Sequence, residues 1–386
     1  VCSSDLPVDF DARAWARMAK QAGMKYAVLT AKHHDGFCLF DSALTDYKVT
    51  NTPFGRDIVR EYLEAFRAEG LKVGLYYSLL DWHHPDYPAY GDRQHPERDN
   101  PAFQHVEHHL DRYIDYLHGQ VRELCTQYGK LDIIWFDFSY DNMAGETWRA
   151  TELVRMVREL QPGILIDNRL EGGGDYQGSL LTEQPTEISG DFACPEQMIP
   201  PEGIVNCAGQ PIPWEACVTM NNNWGYAAAD KLFKSPKMLI HKLVECVAKG
   251  GNFLLNVGPD ARGRFPEESV RILQEIGDWM DRNSDSIYGC GAAGLPKPNW
   301  GWYTRKGDTV YAHLLEPNIG PYELPGVQRI QSLRLLRDGS EVPALDAFNV
   351  HSFPDMTFMN LGGYGATTAP LPDDRDTVVA IQGDFA

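Results

Sequence analysis

Polar groups able to do chemistry recur at one kind of place in this chain, directly after a short apolar run. Lys32-His33-His34-Asp35-Gly36 follows the run at 26–30, and Tyr76-Tyr77-Ser78 with Asp81-Trp82-His83-His84 follows the run from Leu71. Trp135-Phe136-Asp137 closes the run from Leu131, and Asp167-Asn168-Arg169 follows Ile164-Leu165-Ile166. Each cluster alone has a plain explanation: Asp137 as a helix N-cap, His33 and His34 as one packed and one surface side chain. Four in succession are harder to explain that way, because sites assembled at the C-terminal ends of several strands are catalytic. The metal-free chemistry open to such a set is hydrolysis by two carboxylates. One stays ionised and attacks; the other holds a proton for the leaving group. Asp137, ending a buried run beside Trp135, suits the attack. Its partner stays open among Glu171, Glu183, Glu187, Glu196 and Glu215. A metal-assisted hydrolase on His33, His34, Asp35 and Asp137 is the competing reading. Adjacent histidines on a strand point to opposite sides, which argues against a shared ion.

Other chemistries have less support. The glycines at 172–174, 250–251 and 258 form neither a dinucleotide fingerprint nor a phosphate loop. The eight cysteines are scattered without a CxxC pair and read as mainly reduced thiols. His105, His108 and His109 fall in an acidic stretch read as helical and solvated. With Lys plus Arg at 35 against Asp plus Glu at 54, the net charge is -19, and no basic cluster offers a phosphate-backbone contact. No run of 18 apolar residues is present to span a membrane. Val1-Cys2-Ser3-Ser4-Asp5 lacks the order of a signal peptide, and no N-x-Ser/Thr sequon occurs. Nine Trp and eighteen Tyr, many beside polar residues, suit stacking on sugars.

The elements that must carry the clusters are legible from periodicity. Helical patterns at 11–21, 58–68, 103–128 and 148–160 each stop at a glycine: Gly23, Gly70, Gly129 and Gly163. A glycine there supplies the left-handed cap, and the next apolar run reads as a buried strand. Helix and strand in alternation predict βα units around a mainly parallel sheet. Residues 170–214 are expected as long loops around a short strand near 188–192. Further strands are expected at 214–220 and 252–257, and helices at 237–249 and 267–282, the last with Pro266 in its first turn. That makes seven strands. Residues 1–288 are thus expected as the catalytic unit and 289–298 as a linker. Residues 299–386 are expected as an antiparallel domain with strands at 309–315, 330–336, 341–345 and 378–381.

The motifs carry a resemblance. Lys20-Gln21-Ala22-Gly23-Met24-Lys25-Tyr26, Leu29-Thr30-Ala31-Lys32-His33-His34-Asp35-Gly36-Phe37 and Gly74-Leu75-Tyr76-Tyr77-Ser78 with Asp81-Trp82 are three of them. Trp135-Phe136-Asp137, Trp224-Gly225-Tyr226 and 252–259 complete the set. From about Pro7 to Tyr288 the chain resembles the retaining α-L-fucosidase family of glycoside hydrolases, glycoside hydrolase family 29. The resemblance implies an α/β fold, a (β/α)8 TIM-like barrel followed by a C-terminal β-sandwich-like domain. It implies Asp137 as nucleophile and, through the block 190–197, Glu196 as acid/base, with Glu215 the alternate. It implies His33 and His34 on fucose hydroxyls, with Tyr77, Trp82, Trp135, Arg169, Trp214 and Trp224 around the sugar. No cofactor and no metal are implied. The implied partners are fucosylated oligosaccharides or glycoconjugates, not nucleic acid or membrane, with a homo-oligomer open. The family's first strand, with its Phe-Ile-His-Trp-Gly type segment, has no counterpart, since Pro7-Val8-Asp9-Phe10 matches the entrance of the next helix. The expectation is therefore a barrel lacking that strand, and a fucose-binding protein with little turnover stands as the alternative. The long 170–213 region leans towards α-1,3/4 linkages. The resemblance looks bacterial, and the composition fits cytoplasm or periplasm, or secretion if a leader precedes.

Overall fold

The computed structural model describes residues 6–174, 176, 178–344, 350–363 and 365–386. Helix α1 (Ala12–Gln21) opens with the Asp11 carboxylate accepting the Arg13 and Ala14 amides, and helix α2 (Ile58–Ala68) opens with Asp57 accepting Arg60. These caps satisfy amides that have no partner inside the helix. Both helices end at a left-handed glycine, Gly23 and Gly70, and feed strands β1 (Tyr26–Lys32) and β2 (Lys72–Ser78). The pattern repeats through α3 (Leu110–Gln127), β3 (Ile133–Asp137), α4 (Ala150–Leu160) and β4 (Leu165–Ile166). The four strands form one parallel sheet in chain order.

A second parallel pair, β5 (Glu215–Thr219) and β6 (Asn252–Asn256), is linked by α5 (Pro236–Ala248) and followed by α6 (Glu267–Asn283). Residues 192–196 span the space between β4 and β5. They are no regular strand but meet their neighbours through single parallel bridges, Asp167 with Phe192, Ala193 with Trp214 and Glu196 with Cys217. Six of the seven expected strands are present; the fifth, expected near 188–192, is replaced by the irregular segment 192–196 that begins where the expected strand ends. Parallel strands in chain order with helices between them are the (β/α) barrel plan. Strands β3 and β5 are buried throughout, whereas β1 and β6, the two outer edges, are largely half-buried.

Side chains on these strands alternate between two cores. Val73, Leu75 and Tyr77 of β2 pack outward against α2 and α3 residues such as Leu63, Phe66, Val121 and Leu124. Ile133, Trp135, Phe192, Cys194 and Cys217 line the inside with Tyr26, Val28 and Tyr76. This two-residue alternation decides which member of each adjacent pair reaches the site.

Two helix boundaries differ from expectation. The pattern read as helix over 103–128 begins only at Leu110, and His105, His108 and His109 lie in the connecting loop, with His108 Nδ1 2.8 Å from the Pro85 carbonyl. Helix α4 starts at Ala150, after Arg149 turns the chain at φ +50°. All seven cysteines among the described residues are free, and Cys2 lies outside them.

Beyond α6 the strands turn antiparallel. β7 (Gly291–Ala292), β8 (Gly301–Lys306), β9 (Thr309–Leu314), β11 (Val327–Leu335) and β13 (Thr377–Phe385) form a sheet in the order β11-β13-β9-β8-β7. A short ladder of β10 (Tyr322–Glu323) and β12 (Phe358–Met359) contributes Tyr322 and Met359 to the same apolar core, as in a sandwich. The expected linker at 289–298 therefore holds a paired strand, β7. The expected strand at 341–345 is a single bridge from Glu341 to Arg334, and Leu345 falls outside the described residues. A buried Thr304–His313–Asp376 relay and the Trp279 indole, donating to the Asp376 carbonyl, fasten this sheet to α6.

Candidate active site

Asp137 ends β3 in the same inward phase as Ile133 and Trp135, so its carboxylate projects into the barrel mouth. Oδ1 accepts Arg169 Nη1–H at 2.8 Å and the Phe138 amide at 3.0 Å, and Oδ2 accepts the Tyr76 hydroxyl at 2.7 Å. Tyr76 and Asp137 meet because β2 and β3 run in register, Tyr76 beside Trp135 and Ser78 beside Asp137. Glu196 stands across from Asp137 on the irregular segment, its Oε2 3.0 Å from the same Arg169 Nη1. Two oxygens held at 2.8 and 3.0 Å by one nitrogen lie no further apart than those lengths laid end to end. The two carboxyl groups thus face one guanidinium nitrogen from two sides, close enough to act on a single sugar.

Backbone strain marks both carboxylates. Among the described residues only four non-glycines take positive φ, and two directly follow them: Phe138 at +74° and Gln197 at +56°. Such conformations cluster at functional sites, where surrounding contacts must hold them. Gln197 is held by its amide on the Cys217 carbonyl and its side chain on Thr219. Phe138 sets its ring edge-on to His34, with centroids 4.1 Å apart.

Arg169 is buried and makes the central junction. Besides both carboxylates, its Nε lies 3.0 Å from Cys194 Sγ, its Nη2 donates to the Cys194 carbonyl at 3.1 Å, and its guanidinium sits 5.0 Å over the Trp135 ring. Guanidinium keeps its charge in such a setting, so this cation persists between the two acids. Below it, the Trp135 indole donates to Glu215 Oε1 at 3.1 Å, and the Tyr26 hydroxyl donates to Oε2. Burial pushes the Glu215 carboxyl up to about 7, against the opposing pull of those two donors. Asp167, fully buried under the site, is likewise pushed well above the ordinary carboxylate range by desolvation.

His33 and His34 lie side by side, ring centroids 3.7 Å apart. The expectation that they diverge is corrected: β1 slips register between Thr30 and Lys32 and ends there, so strand alternation no longer governs them. His34 Nδ1 lies 2.7 Å from Ser78 Oγ, and His33 stacks on Tyr76. Burial lowers the His33 pKa and takes His34 to about 3. Both are neutral near pH 7, the state suited to hydroxyl groups. Asp35 turns away to accept the Phe37 amide. No group of three or more His, Cys, Asp or Glu among the described residues is arranged to hold a metal ion.

A buried ion pair anchors the histidine turn from behind. Lys32 Nζ meets Asp81 Oδ2 at 3.1 Å, while Asp81 Oδ1 accepts the His83 and His84 amides. Gly36 at φ +76° lets Asp81 pack this close, since a Cβ there would stand 2.2 Å from Oδ1. The Trp82 amide then donates to the His34 carbonyl at 2.7 Å, and its ring lies 5.2 Å from the His34 ring.

Two expected site residues are elsewhere. Tyr77 faces the helices, with its hydroxyl on Gln120. Trp214 is buried with Ile204 and Cys246, on the side away from the barrel interior, against Gly251. In both cases the neighbour, Tyr76 or Glu215, holds the inward position, and alternation excludes the residue next to it. Trp224 lies on the loop after β5, 40% exposed, its carbonyl accepting from Asn256 Nδ2. The sequence reading placed Tyr76, Ser78, Lys32 and Asp81 in the strand-end clusters but gave none of them a role in the site. The period of two along β2 would have found Tyr76 and Ser78.

This geometry has close parallels. A family model described as Alpha-L-fucosidase matches residues 6–285. An α-L-fucosidase of Dictyostelium discoideum is 31% identical over 323 residues, 80% of this chain and 62% of that protein. The plasma α-L-fucosidase of Rattus norvegicus is 29% identical over 286 residues, 72% and 56% respectively, so the chain spans about three fifths of these relatives. Among solved structures, α-L-fucosidase isoenzyme 1 from Paenibacillus thiaminolyticus is 58% identical with a TM-score of 0.94, covering 99% of this chain and 88% of that one. A Bacteroides thetaiotaomicron α-L-fucosidase, trapped as a covalent intermediate with 2-fluoro-fucosyl fluoride, is 30% identical with a TM-score of 0.81 over 98% of this chain and 83% of that one. Barrel, carboxylate pair and matched sequence agree, and the chain belongs to the α-L-fucosidase family.

Proposed function

We propose that this protein is a retaining exo-α-L-fucosidase that removes terminal fucose from oligosaccharides or glycoconjugates. The observation that carries the reading is the single Arg169 nitrogen that brings Asp137 and Glu196 together at the barrel mouth of a chain matching the α-L-fucosidase family; a retaining pair would stand about 5–5.5 Å apart. Asp137 attacks the anomeric carbon as the bond from that carbon to the glycosidic oxygen breaks. Glu196 leaves Arg169, takes up a proton from solvent and gives that proton to the departing oxygen, and the fucose remains as an ester on Asp137. Glu196, now a carboxylate, takes a proton from water, the water oxygen bonds to the anomeric carbon, and Asp137 departs with its electron pair. Two inversions return the original configuration.

The neutral His33 and His34 read sugar hydroxyls, and Trp135 lines the same pocket. A site that pairs hydroxyl groups rejects analogues lacking them strongly, whereas one methyl group discriminates less. The test is release of aryl alcohol from α-L-fucoside beside β-D-galactoside, β-L-fucoside and α-L-arabinoside. Selective cleavage of the α-L-fucoside is expected. Fucose binding without cleavage of any glycoside would make the protein a binding module on this fold.

A further inference from the structure

Three strands of the barrel meet at Glu215. Its Oε1 takes the Trp135 indole N–H from β3 at 3.1 Å, its Oε2 takes the Tyr26 hydroxyl from β1, and its own backbone belongs to β5. Trp135 in turn carries the Arg169 guanidinium on its face at 5.0 Å, and Arg169 holds Asp137 and Glu196. We propose that Glu215 is a positioning residue of the catalytic centre, locking the Trp135 indole as the fixed surface on which Arg169 sets the spacing of the two catalytic carboxylates. The proposal rests on the fucosidase reading and goes beyond it, assigning a role to a carboxyl that the two-carboxylate chemistry does not use.

The contacts argue against Glu215 as the acid/base. Both of its oxygens are engaged by protein donors, and it is buried in the barrel wall. Burying a carboxyl is costly unless its oxygens find partners, and here both partners come from other strands. Without them the Trp135 indole loses the hydrogen bond that fixes its orientation under Arg169. Burial holds the Glu215 carboxyl near 7, so its protonated form is well populated around neutrality. That form keeps the same two contacts, with one oxygen accepting from Trp135 and the hydroxyl facing Tyr26. Glutamine reproduces this arrangement: its carbonyl accepts from the indole and its amide donates to the Tyr26 oxygen.

The test compares Glu215→Gln, Glu215→Leu and Trp135→Phe on the full chain. Glu215→Gln is expected to keep kcat close to wild type, because only the hydrogen-bond frame matters. Glu215→Leu is expected to lose on the order of 100-fold in kcat with little change in KM, the size typical of a misplaced catalytic geometry. Azide should not restore Glu215→Leu, although it restores Glu196→Ala. Trp135→Phe combined with Glu215→Leu should lose little more than either alone. A readout independent of turnover is the Trp135 indole N–H resonance, identified by its disappearance in Trp135→Phe. It is expected to stay slow-exchanging in Glu215→Gln and to move and exchange faster in Glu215→Leu. Collapse of Glu215→Gln to the level of Glu196→Gln, or azide rescue of Glu215→Leu, would overturn the proposal by making Glu215 an acid/base. Wild-type kcat in a folded Glu215→Leu would overturn it too. If Glu215→Leu does not fold, Glu215→Gln still decides. If the wild type cleaves no glycoside, the fucosidase reading fails and the indole resonance alone judges the contact.

Discussion

Replacing Tyr76 by Phe removes one hydroxyl, the donor to Asp137 Oδ2 at 2.7 Å. Asp137 keeps the Arg169 and Phe138 donors on Oδ1, so it stays oriented for attack. The effect of the loss depends on how charge moves. In the first step the carboxylate gives up its charge to the anomeric carbon, so the bond to Tyr76 weakens towards the transition state and its absence costs little. In the second step Asp137 leaves, charge returns to its oxygens, and the Tyr76 hydroxyl strengthens its hold. A hydrogen bond to a charged group is worth about 1.5–3 kcal/mol, which corresponds to roughly 10- to 150-fold in the rate of that step. Tyr76→Phe is therefore expected to lower kcat by about that factor and to lower KM with it, because the fucosyl-enzyme accumulates. Stopped-flow release of dinitrophenol from the aryl α-L-fucoside should show a burst equal to the enzyme concentration. Tyr77→Phe is the control: its hydroxyl bonds Gln120 on the helix side, so kinetics stay wild-type and about 1 kcal/mol of stability is lost. An unchanged kcat in Tyr76→Phe, or a burst in Tyr77→Phe instead, would refute the placement of Tyr76 on the nucleophile.

Three further outcomes are expected. Glu196→Ala should lose far more activity on natural glycosides, whose leaving groups need a proton, than on dinitrophenyl fucoside, and azide should speed turnover of the latter; equal losses on both would remove Glu196 from the acid role. Asp81→Asn leaves Lys32 buried without its counter-charge and should destabilise the fold by about 3–5 kcal/mol in urea unfolding; wild-type stability would show that the pair is not needed. Glu215, raised to about 7 in the fold from 4.5, favours the protonated form, so its contribution is full below 4.5 and lost as pH rises through 7. Against Glu215→Gln, the wild type should therefore weaken by about 3 kcal/mol between those limits, and parallel stability profiles of the two proteins would contradict the raised value.

The barrel was legible where local signals agreed. Asp11 and Asp57 start helices, Gly23 and Gly70 end them, and the apolar runs that follow are strands. The fifth position was harder to read because 192–196 bonds through isolated bridges, and Gly190 at φ +80° packs against the Asp167 backbone where any side chain would clash. Strand β8 was missed since Gly301-Trp302-Tyr303-Thr304-Arg305-Lys306 mixes glycine, aromatic and charge without a clear apolar alternation. Within the site, Asp137, Arg169 and Glu196 come together from three segments, as the resemblance implied. Tyr77 and Trp214 were misplaced by one residue each, an error that alternation on β2 and β5 corrects. The pairing of His33 with His34 depends on a register slip, and Lys32–Asp81 on a contact 49 residues apart. Neither leaves a local trace.

The most direct test of the account is the identity of the residue that carries the sugar. The protein would be incubated with 2-fluoro-fucosyl fluoride, digested, and the labelled peptide mapped by mass spectrometry. A single fucosyl ester on Asp137, with product released in the retained configuration on turnover of an aryl fucoside, is the predicted result. A label on Glu196 or Glu215, or product of inverted configuration, would contradict it.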